Sequence, residues 1–87
     1  MALVTLRYWA AAKEAAGTAE EAVSAGTLAE ALAVATDGVD DRNARLRAIL
    51  VRSSFLVDGT PVGTRAPEAV MLGEGSVVEV LPPFAGG

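Results

Sequence analysis

The sequence contains no cysteine and no histidine among its 87 residues. Their absence excludes disulfide bonds, thiol nucleophiles, imidazole bases and the zinc sites that these side chains build. The common nucleophile–base pairs of covalent catalysis therefore cannot be assembled from this chain. A protein without disulfide bonds needs no oxidising compartment, and we expect this one to be cytoplasmic.

Long apolar runs, basic excess and phosphate-binding loops are also missing. No apolar run approaches the ~20 residues that cross a bilayer, and the N-terminus lacks the pattern of a signal peptide. Acidic residues outnumber basic ones by 11 to 7, and the net charge is −4. Such a chain repels phosphate backbones, so we expect no nucleic acid as partner and favour a basic protein surface. Without a long apolar run, we also expect no membrane as partner.

No Gly-rich phosphate loop is present either, and we expect no bound cofactor.

The chain is long enough for one domain, and its hydrophobic content of 52% predicts that it folds. Alternating apolar residues predict strands. The strongest is residues 2–9, in which Leu3 and Trp9 share the more polar face. In the last strand Leu81 shares a face with Glu79. The predicted strands are residues 2–9, 20–24, 54–58, 60–62 and 76–81.

The first and last strands are the most apolar, so we expect them to pair at the sheet centre. Asp58-Gly59 predicts a hairpin turn, and Pro61 places the short strand after it at a sheet edge. Residues 63–75 are predicted to form a loop that pushes Val70, Met71 and Leu72 into the core.

Three segments favour helix. Residues 10–16 are rich in alanine and are followed by Gly17, which suits a helix end. Thr27 and Glu30 have the spacing of a capping box, and this helix is predicted to end at Gly38. A third helix is predicted to begin at Asp40 or Asp41. The two stripes expected to face the core are Leu28, Leu32 and Ala35, then Leu46, Ile49 and Leu50.

The cluster Asp37, Asp40 and Asp41 lacks the pattern of a calcium loop. We interpret it as a capped, solvated helix start and expect no metal site. The charged segment 36–47 predicts an elaborated helical region. The element order predicts an α+β fold, with a small mixed sheet and helices packed on one face.

The last six residues, Pro82 to Gly87, differ from the domain predicted over residues 1–81. Two prolines stop the strand and extend the chain stiffly. Gly86 and Gly87 have no Cβ, so a partner's channel could close around their backbone and reach the terminal carboxylate. Gly-rich ends are often only frayed, but the stiff spacer and the apolar Phe84 favour a functional tail.

Several motifs of this chain resemble one family. They are Val4-Thr5-Leu6, Lys13-Glu14-Ala15-Ala16-Gly17, Gly73-Glu74-Gly75 and Pro82-Pro83-Phe84-Ala85-Gly86-Gly87. The sequence is similar to the small sulfur-carrier subunit of molybdopterin synthase, within the ubiquitin-like β-grasp superfamily. The resemblance spans almost the whole chain, and its specific part is the Pro-Pro-x-x-Gly-Gly ending.

The resemblance implies a carrier and not an enzyme. An E1-like partner would use ATP to adenylate Gly87, and a sulfur donor would convert the adenylate to a thiocarboxylate. The tail would then enter the large subunit of molybdopterin synthase and donate sulfur to form the molybdopterin dithiolene. Gly86 would keep the passage narrow, and the catalytic groups would belong to the partners.

The resemblance also implies an apolar docking face on the sheet. Trp9 and Leu81 correspond to apolar positions of that face, and Phe84 follows on the tail with Pro82 and Pro83. Trp9 could instead be covered by the helix after it. Lys13 matches a basic position that could pair with the activating enzyme, or it is a solvated helix charge.

Three other functions fit the sequence. The first is a sulfur carrier for thiamine or cysteine synthesis, whose tail also ends in Gly-Gly. The second is a ubiquitin-like modifier that is conjugated to target lysines through Gly87. The third is a binding module whose tail has no role.

Overall fold

The computed structural model describes residues 2–83, so the predictions made for Phe84, Gly86 and Gly87 lie outside the described residues. The strands are β1 (Ala2–Tyr8), β2 (Glu20–Ala25), β3 (Ser54–Val57), β4 (Thr60–Pro61) and β5 (Val77–Leu81). The helices are α1 (Ala10–Ala16), α2 (Leu28–Ala35) and α3 (Asp41–Leu50), with a 3-10 turn over Pro67–Ala69. Within residues 2–83, no helix is long and apolar enough to cross a membrane.

The five strands form one mixed sheet in the order β2-β1-β5-β3-β4. β1 and β5 run parallel, with Leu6 opposite Val78 and Tyr8 opposite Val80. β2 is antiparallel to β1, and β3 is antiparallel to both β5 and β4. The predicted pairing of the first and last strands near the sheet centre is confirmed.

The inner face of the central strands is the floor of the core. Its five residues are at most 1% exposed: Val4, Leu6, Tyr8, Val78 and Val80. From the helices, Leu28 and Leu46 are fully buried against them, while Leu32 and Ile49 are partly buried. The helices therefore cover one face of the sheet, and the predicted α+β class is confirmed.

The turn between β3 and β4 has the predicted hairpin geometry. Asp58 and Gly59 both have positive φ, 50° and 83°, as a two-residue type I′ turn requires. The Asp58 carboxylate accepts hydrogen bonds from Val77 N at 2.9 Å and Ser76 Oγ at 3.1 Å. The turn is therefore tied to the start of β5, and β4 with Pro61 lies at the sheet edge as predicted.

The prediction that α2 ends at Gly38 is wrong, because the helix ends at Ala35. Arg42 of α3 donates a hydrogen bond to Ala35 O at 2.8 Å, and Arg47 donates one to Thr36 O at 2.7 Å. The backbone carbonyls at the end of a helix need hydrogen-bond donors, which a further helical turn or water would otherwise provide. Here the two guanidinium groups are the donors. Charge within segment 36–47 thus joins α3 to the end of α2. At the start of α3, the Asp40 side chain accepts from Asn43 N at 2.9 Å, which confirms a capped helix.

The prediction that Val70, Met71 and Leu72 all enter the core is wrong for Met71. Val70 and Leu72 are buried, but Met71 is 73% exposed. The segment is extended and Met71 forms an isolated bridge with Thr27. Successive side chains of an extended segment point to opposite sides, so only the two flanking residues can face the core.

Candidate functional site

The sheet face opposite the helices, here called the outer face, carries the candidate site. It is formed by the alternate residues of each strand, and the strand register arranges them in rows across the sheet. One row runs Glu20, Arg7, Glu79, Leu56 and Pro61. In the next row, Leu81 of β5 lies opposite Ser54 of β3.

Three apolar residues occupy neighbouring positions of this face near the end of β5. Trp9 follows β1, and its backbone nitrogen donates to Val80 O at 3.3 Å, which brings it beside Leu81. Leu56 lies in the adjacent row, opposite Glu79. Trp9 is 47% exposed, and Leu56 and Leu81 are partly buried. We call Trp9, Leu56 and Leu81 the docking patch.

The chain turn after β1 holds Trp9 in this position. Trp9 is the N-cap residue of α1, and Ala10 after it has a φ of +48°, a conformation that is unfavourable for a residue with a Cβ. The indole Nε1 donates to Glu79 Oε1 at 3.2 Å, so the ring is tied to β5. The alternative in which the helix covers Trp9 does not hold, since about half of the residue stays exposed.

A row of charges borders the docking patch. Arg7 Nε donates to Glu20 Oε2 at 2.9 Å, in an ion pair whose side chains are 40% and 51% exposed. Glu79, opposite Arg7 in the neighbouring strand, adds a second carboxylate. Because Arg7 pairs with Glu20, the row of Glu20, Arg7 and Glu79 carries one net negative charge. The patch is therefore an apolar surface bordered by a row with a small negative excess, which suits a partner surface with apolar and basic residues.

On the inner face, a polar network fixes β1 below the patch. The buried Tyr8 hydroxyl donates to Glu21 Oε1 at 2.7 Å, and Arg42 Nη2 reaches the same oxygen at 2.7 Å. Burial, followed by the hydrogen bond to Glu21 and its negative charge, raises the pKa of Tyr8 well above its ordinary value. Arg42 also donates to Ala16 O at 3.1 Å. The network therefore joins β1, β2, α1 and α3 around one carboxylate.

The chain leaves the sheet directly beside the docking patch. Leu81 is the last residue of β5, Pro82 is partly buried and Pro83 is exposed. Phe84, Gly86 and Gly87 lie outside the described residues. The structure thus brings Trp9 and Leu81 together with Pro82 at the start of the predicted tail.

Other predicted site residues take different positions. Lys13 is exposed on α1 and borders a shallow surface concavity together with Trp9. Between residues 2 and 83, no group of three or more acidic side chains could hold a metal ion.

Sequence reasoning missed Leu56 as a member of the docking patch. Alternation within β5 placed Glu79 and Leu81 on one face, and the structure confirms this. The face of Leu56 depends on the pairing of β3 with β5, and no local pattern reveals that register. The sequence shows Leu56 only as the middle residue of the apolar run Phe55-Leu56-Val57, in which alternation cannot be seen.

No protein-family model and no curated protein matches the sequence. Solved structures do match. The solution structure of small archaeal modifier protein 1 (SAMP1) from Methanosarcina acetivorans has a TM-score of 0.81 at 23% identity and covers 100% of this chain and 98% of that chain. The crystal structure of SAMP1 from Haloferax volcanii has a TM-score of 0.73 at 19% identity, with coverage of 98% and 99%.

A third match is a chain of the complex of subunits 1 and 2 of the molybdopterin-converting factor from Helicobacter pylori 26695. Its TM-score is 0.69 at 20% identity, and the alignment covers 98% of this chain and 99% of that chain. All three matches span nearly the full length of both chains. The protein therefore has the ubiquitin-like β-grasp fold, which it shares with these small modifier and molybdopterin-converting-factor proteins.

Proposed function

We propose that this protein is a cytoplasmic sulfur carrier whose tail, residues 82–87, presents the carboxylate of Gly87. An E1-like enzyme adenylates that carboxylate with ATP, and a sulfur donor replaces the adenylate to give a thiocarboxylate. The carrier then docks on a large synthase subunit and donates sulfur to form the molybdopterin dithiolene. Adenylation is needed because a carboxylate is a poor electrophile, and AMP is a good leaving group.

The observation that carries the proposal is the position of the docking patch beside the start of the tail. A carrier must bind its partner and thread its end into the partner's site in one encounter. Trp9 and Leu81 lie where β5 ends and Pro82 begins. A protein seated on them would receive the chain directly, held extended by Pro82 and Pro83.

The proposed large-subunit partner is supported by the Helicobacter pylori match, which is a complex of subunits 1 and 2 of a molybdopterin-converting factor. A half-exposed Trp9 beside partly buried leucines on one face is typical of protein interfaces. The net negative charge of the row formed by Glu20, Arg7 and Glu79 would favour basic residues around the partner's binding site. This chain would contribute no catalytic side chain of its own.

A second candidate function is protein modification through an isopeptide bond between Gly87 and lysines of target proteins. The specific observation in its favour is the likeness to SAMP1 from two archaea. Both functions share the adenylated intermediate and differ in the nucleophile that follows. Sulfide gives the carrier, and a lysine amine gives the conjugate.

The two candidates are separated by intact mass spectrometry after incubation with ATP, sulfide and the E1-like enzyme of the same cells. The carrier is expected to gain one sulfur in place of one oxygen at Gly87. A chain lacking Gly87 is the control, and it should stay unmodified while it unfolds at the same temperature. Conjugates to lysines of other proteins without any thiocarboxylate would favour the modifier. No change at Gly87 under either condition would reject both.

A further inference from the structure

The two edges of the sheet differ in how open they are to another strand. β4 forms one edge and has two residues, of which Pro61 has no backbone N–H. β2 forms the other edge and has six residues, Glu20–Ala25. Short strands and prolines at an edge prevent pairing with another chain. The β4 edge has both of these protections, and the β2 edge has neither.

The direction of hydrogen bonding in β1 shows which residues of β2 bond within the sheet. Trp9 N donates toward β5, to Val80 O at 3.3 Å, whereas Tyr8 N donates the other way, to Ala19 O at 2.8 Å. The even-numbered residues of β1 therefore bond toward β2. Their partners in the strand register are Glu21, Val23 and Ala25.

The backbone groups of the other three residues of the antiparallel strand point away from the sheet, because bonding alternates along it. These residues are Glu20, Ala22 and Ser24, here called the open edge, and all three are exposed. Within residues 2–83, the one hydrogen bond to their outward groups comes from the Thr18 hydroxyl to Glu20 O, at 3.1 Å. A carbonyl oxygen has two lone pairs and can accept a second bond. The open edge thus offers donors and acceptors to another strand.

The open edge is complementary to itself. When two β2 strands pair antiparallel about Ala22, Ala22 faces Ala22 of the second copy and Glu20 faces Ser24. Every residue in these facing pairs has outward-pointing groups, so each pair can exchange two hydrogen bonds. The register of β2 with β1 is continuous from Glu20 to Ala25 and contains no bulge that would turn the edge away. The alanine at the centre is too small to hold the strands apart.

The carboxylates of β2 are already paired within their own chain. Glu20 pairs with Arg7 at 2.9 Å on the outer face, and Glu21 pairs with Arg42 at 2.7 Å on the inner face. In the register centred on Ala22, the Glu20 residues of the two copies are offset along the strands by about 13 Å. This offset exceeds the screening length of about 8 Å at physiological ionic strength, so repulsion between them is weak.

We propose that the open edge is a self-association surface, which pairs antiparallel with β2 of a second copy of this chain about a two-fold axis at Ala22. The two five-stranded sheets then join into one. Facing residues of an antiparallel pair lie on the same side of a sheet, so both docking patches face one side of the dimer. A contact through a single strand pair buries little surface, and the dimer is expected to be of the weak, transient class.

The test measures association of the full chain from about 10 μM to 1 mM, the range in which weak dimers form. Sedimentation velocity should show one equilibrium between monomer and dimer. Amide hydrogen exchange of Ala22 and Ser24, followed by NMR, should slow as the dimer forms, because their N–H groups become bonded between the copies. Exchange at Val23, whose N–H is bonded to β1 in the monomer, should change much less.

A pair of lysine variants tests the position of the contact. Ala22→Lys would place two ammonium groups directly opposite each other, about 5.5 Å apart between Cα atoms. It should raise the dissociation constant of the dimer about fivefold or more and leave the unfolding temperature unchanged, since Ala22 is exposed. Thr60→Lys is the matched control at an exposed position of β4 on the other edge, and it should leave the dissociation constant unchanged.

Three results would overturn the inference: a monomer at every concentration, a dimer that Ala22→Lys leaves as strong as before, or slowed exchange outside β2, for example at Trp9 and Leu81 of the docking patch. The inference does not rest on the proposed function. Failure of the dimer leaves the chemistry proposed for Gly87 untouched, and absence of that chemistry leaves the dimer test intact.

Discussion

The two faces of β1 and β5 come from the same two strands, yet the exposure of their side chains differs strongly. On the inner face Leu6 and Val78 have no exposed surface, whereas Leu3 on the outer face is 52% exposed. The helices cover the inner side chains, whereas outer side chains such as Leu56 and Leu81 are only partly buried. The residues of the inner face are therefore constrained by core packing. The residues of the outer face are less constrained by packing and can contribute to binding.

The energetic consequence follows from burial. A fully buried aliphatic side chain contributes about 1.5–3 kcal/mol relative to an exposed one. The outer apolar residues realise only part of this contribution in the isolated chain. In the proposed function the remainder would become available on covering of Trp9 and Leu81 by a partner.

The largest expected effect contrasts two leucines of β1. Leu6→Ala removes a side chain with no exposed surface and should lower the free energy of unfolding by about 2–5 kcal/mol. Leu3→Ala is the matched control on the outer face and should cost less than about 1 kcal/mol. Denaturant unfolding of both variants measures the difference, and equal losses would contradict the assignment of the two faces.

The second effect concerns binding and not folding. Leu81→Glu should weaken binding to the large subunit or to the activating enzyme about tenfold or more, because docking would desolvate the new charge at an apolar contact. Titration calorimetry with each partner measures the loss.

Met71→Glu is the matched control for Leu81→Glu. Met71 is 73% exposed and is bridged to Thr27, just after β2, at the opposite end of the sheet. Its substitution should leave both affinities unchanged. Equal affinity of the Leu81→Glu variant for both partners would remove Leu81 from the docking patch.

The third effect is a dependence of stability on pH. The folded state raises the pKa of Tyr8, chiefly by burial and then by the hydrogen bond to Glu21. The fold thus favours the neutral phenol. The contribution of Tyr8 to the free energy of unfolding is therefore complete below the unfolded pKa of about 10 and is lost as pH rises further. Tyr8 is the only tyrosine, and tyrosinate absorbance should therefore report its titration above the ordinary value.

Tyr8→Phe serves as the control for this titration. It should cost about 1 kcal/mol near neutral pH through the lost hydrogen bond and should abolish the decline in stability attributed to the phenol at alkaline pH. Tyrosinate formation at the ordinary pKa in the folded protein would argue against the buried contact.

The smallest expected effect concerns the border of the docking patch. Glu79→Gln keeps the shape of the side chain that accepts from the Trp9 indole at 3.2 Å, and the contact is exposed. The free energy of unfolding should change by less than about 0.5 kcal/mol. Fluorescence of Trp9, the only tryptophan, should respond to partner binding in both forms. Loss of the fluorescence response in the variant alone would assign Glu79 a direct part in docking.

Much of the fold was predictable from local patterns. The alternation in β1 and β5, the capping box at Thr27 and the Asp58-Gly59 turn each express a short-range rule that the structure confirms. The end of α2 was not predictable, because Arg42 and Arg47 reach its last carbonyls from another helix. Met71 was misassigned because an apolar run conceals the alternation of an extended segment.

The candidate site divides in the same way. The sequence by itself determined the alternation that puts Leu81 and Glu79 on one face of β5, and the Gly-Gly tail, since these depend on residue order alone. Only the tertiary structure decided that Trp9, Leu56 and Leu81 occupy neighbouring positions of one sheet face. Strand order and register join residues that are distant in the chain, and these are set by the packing of the whole core.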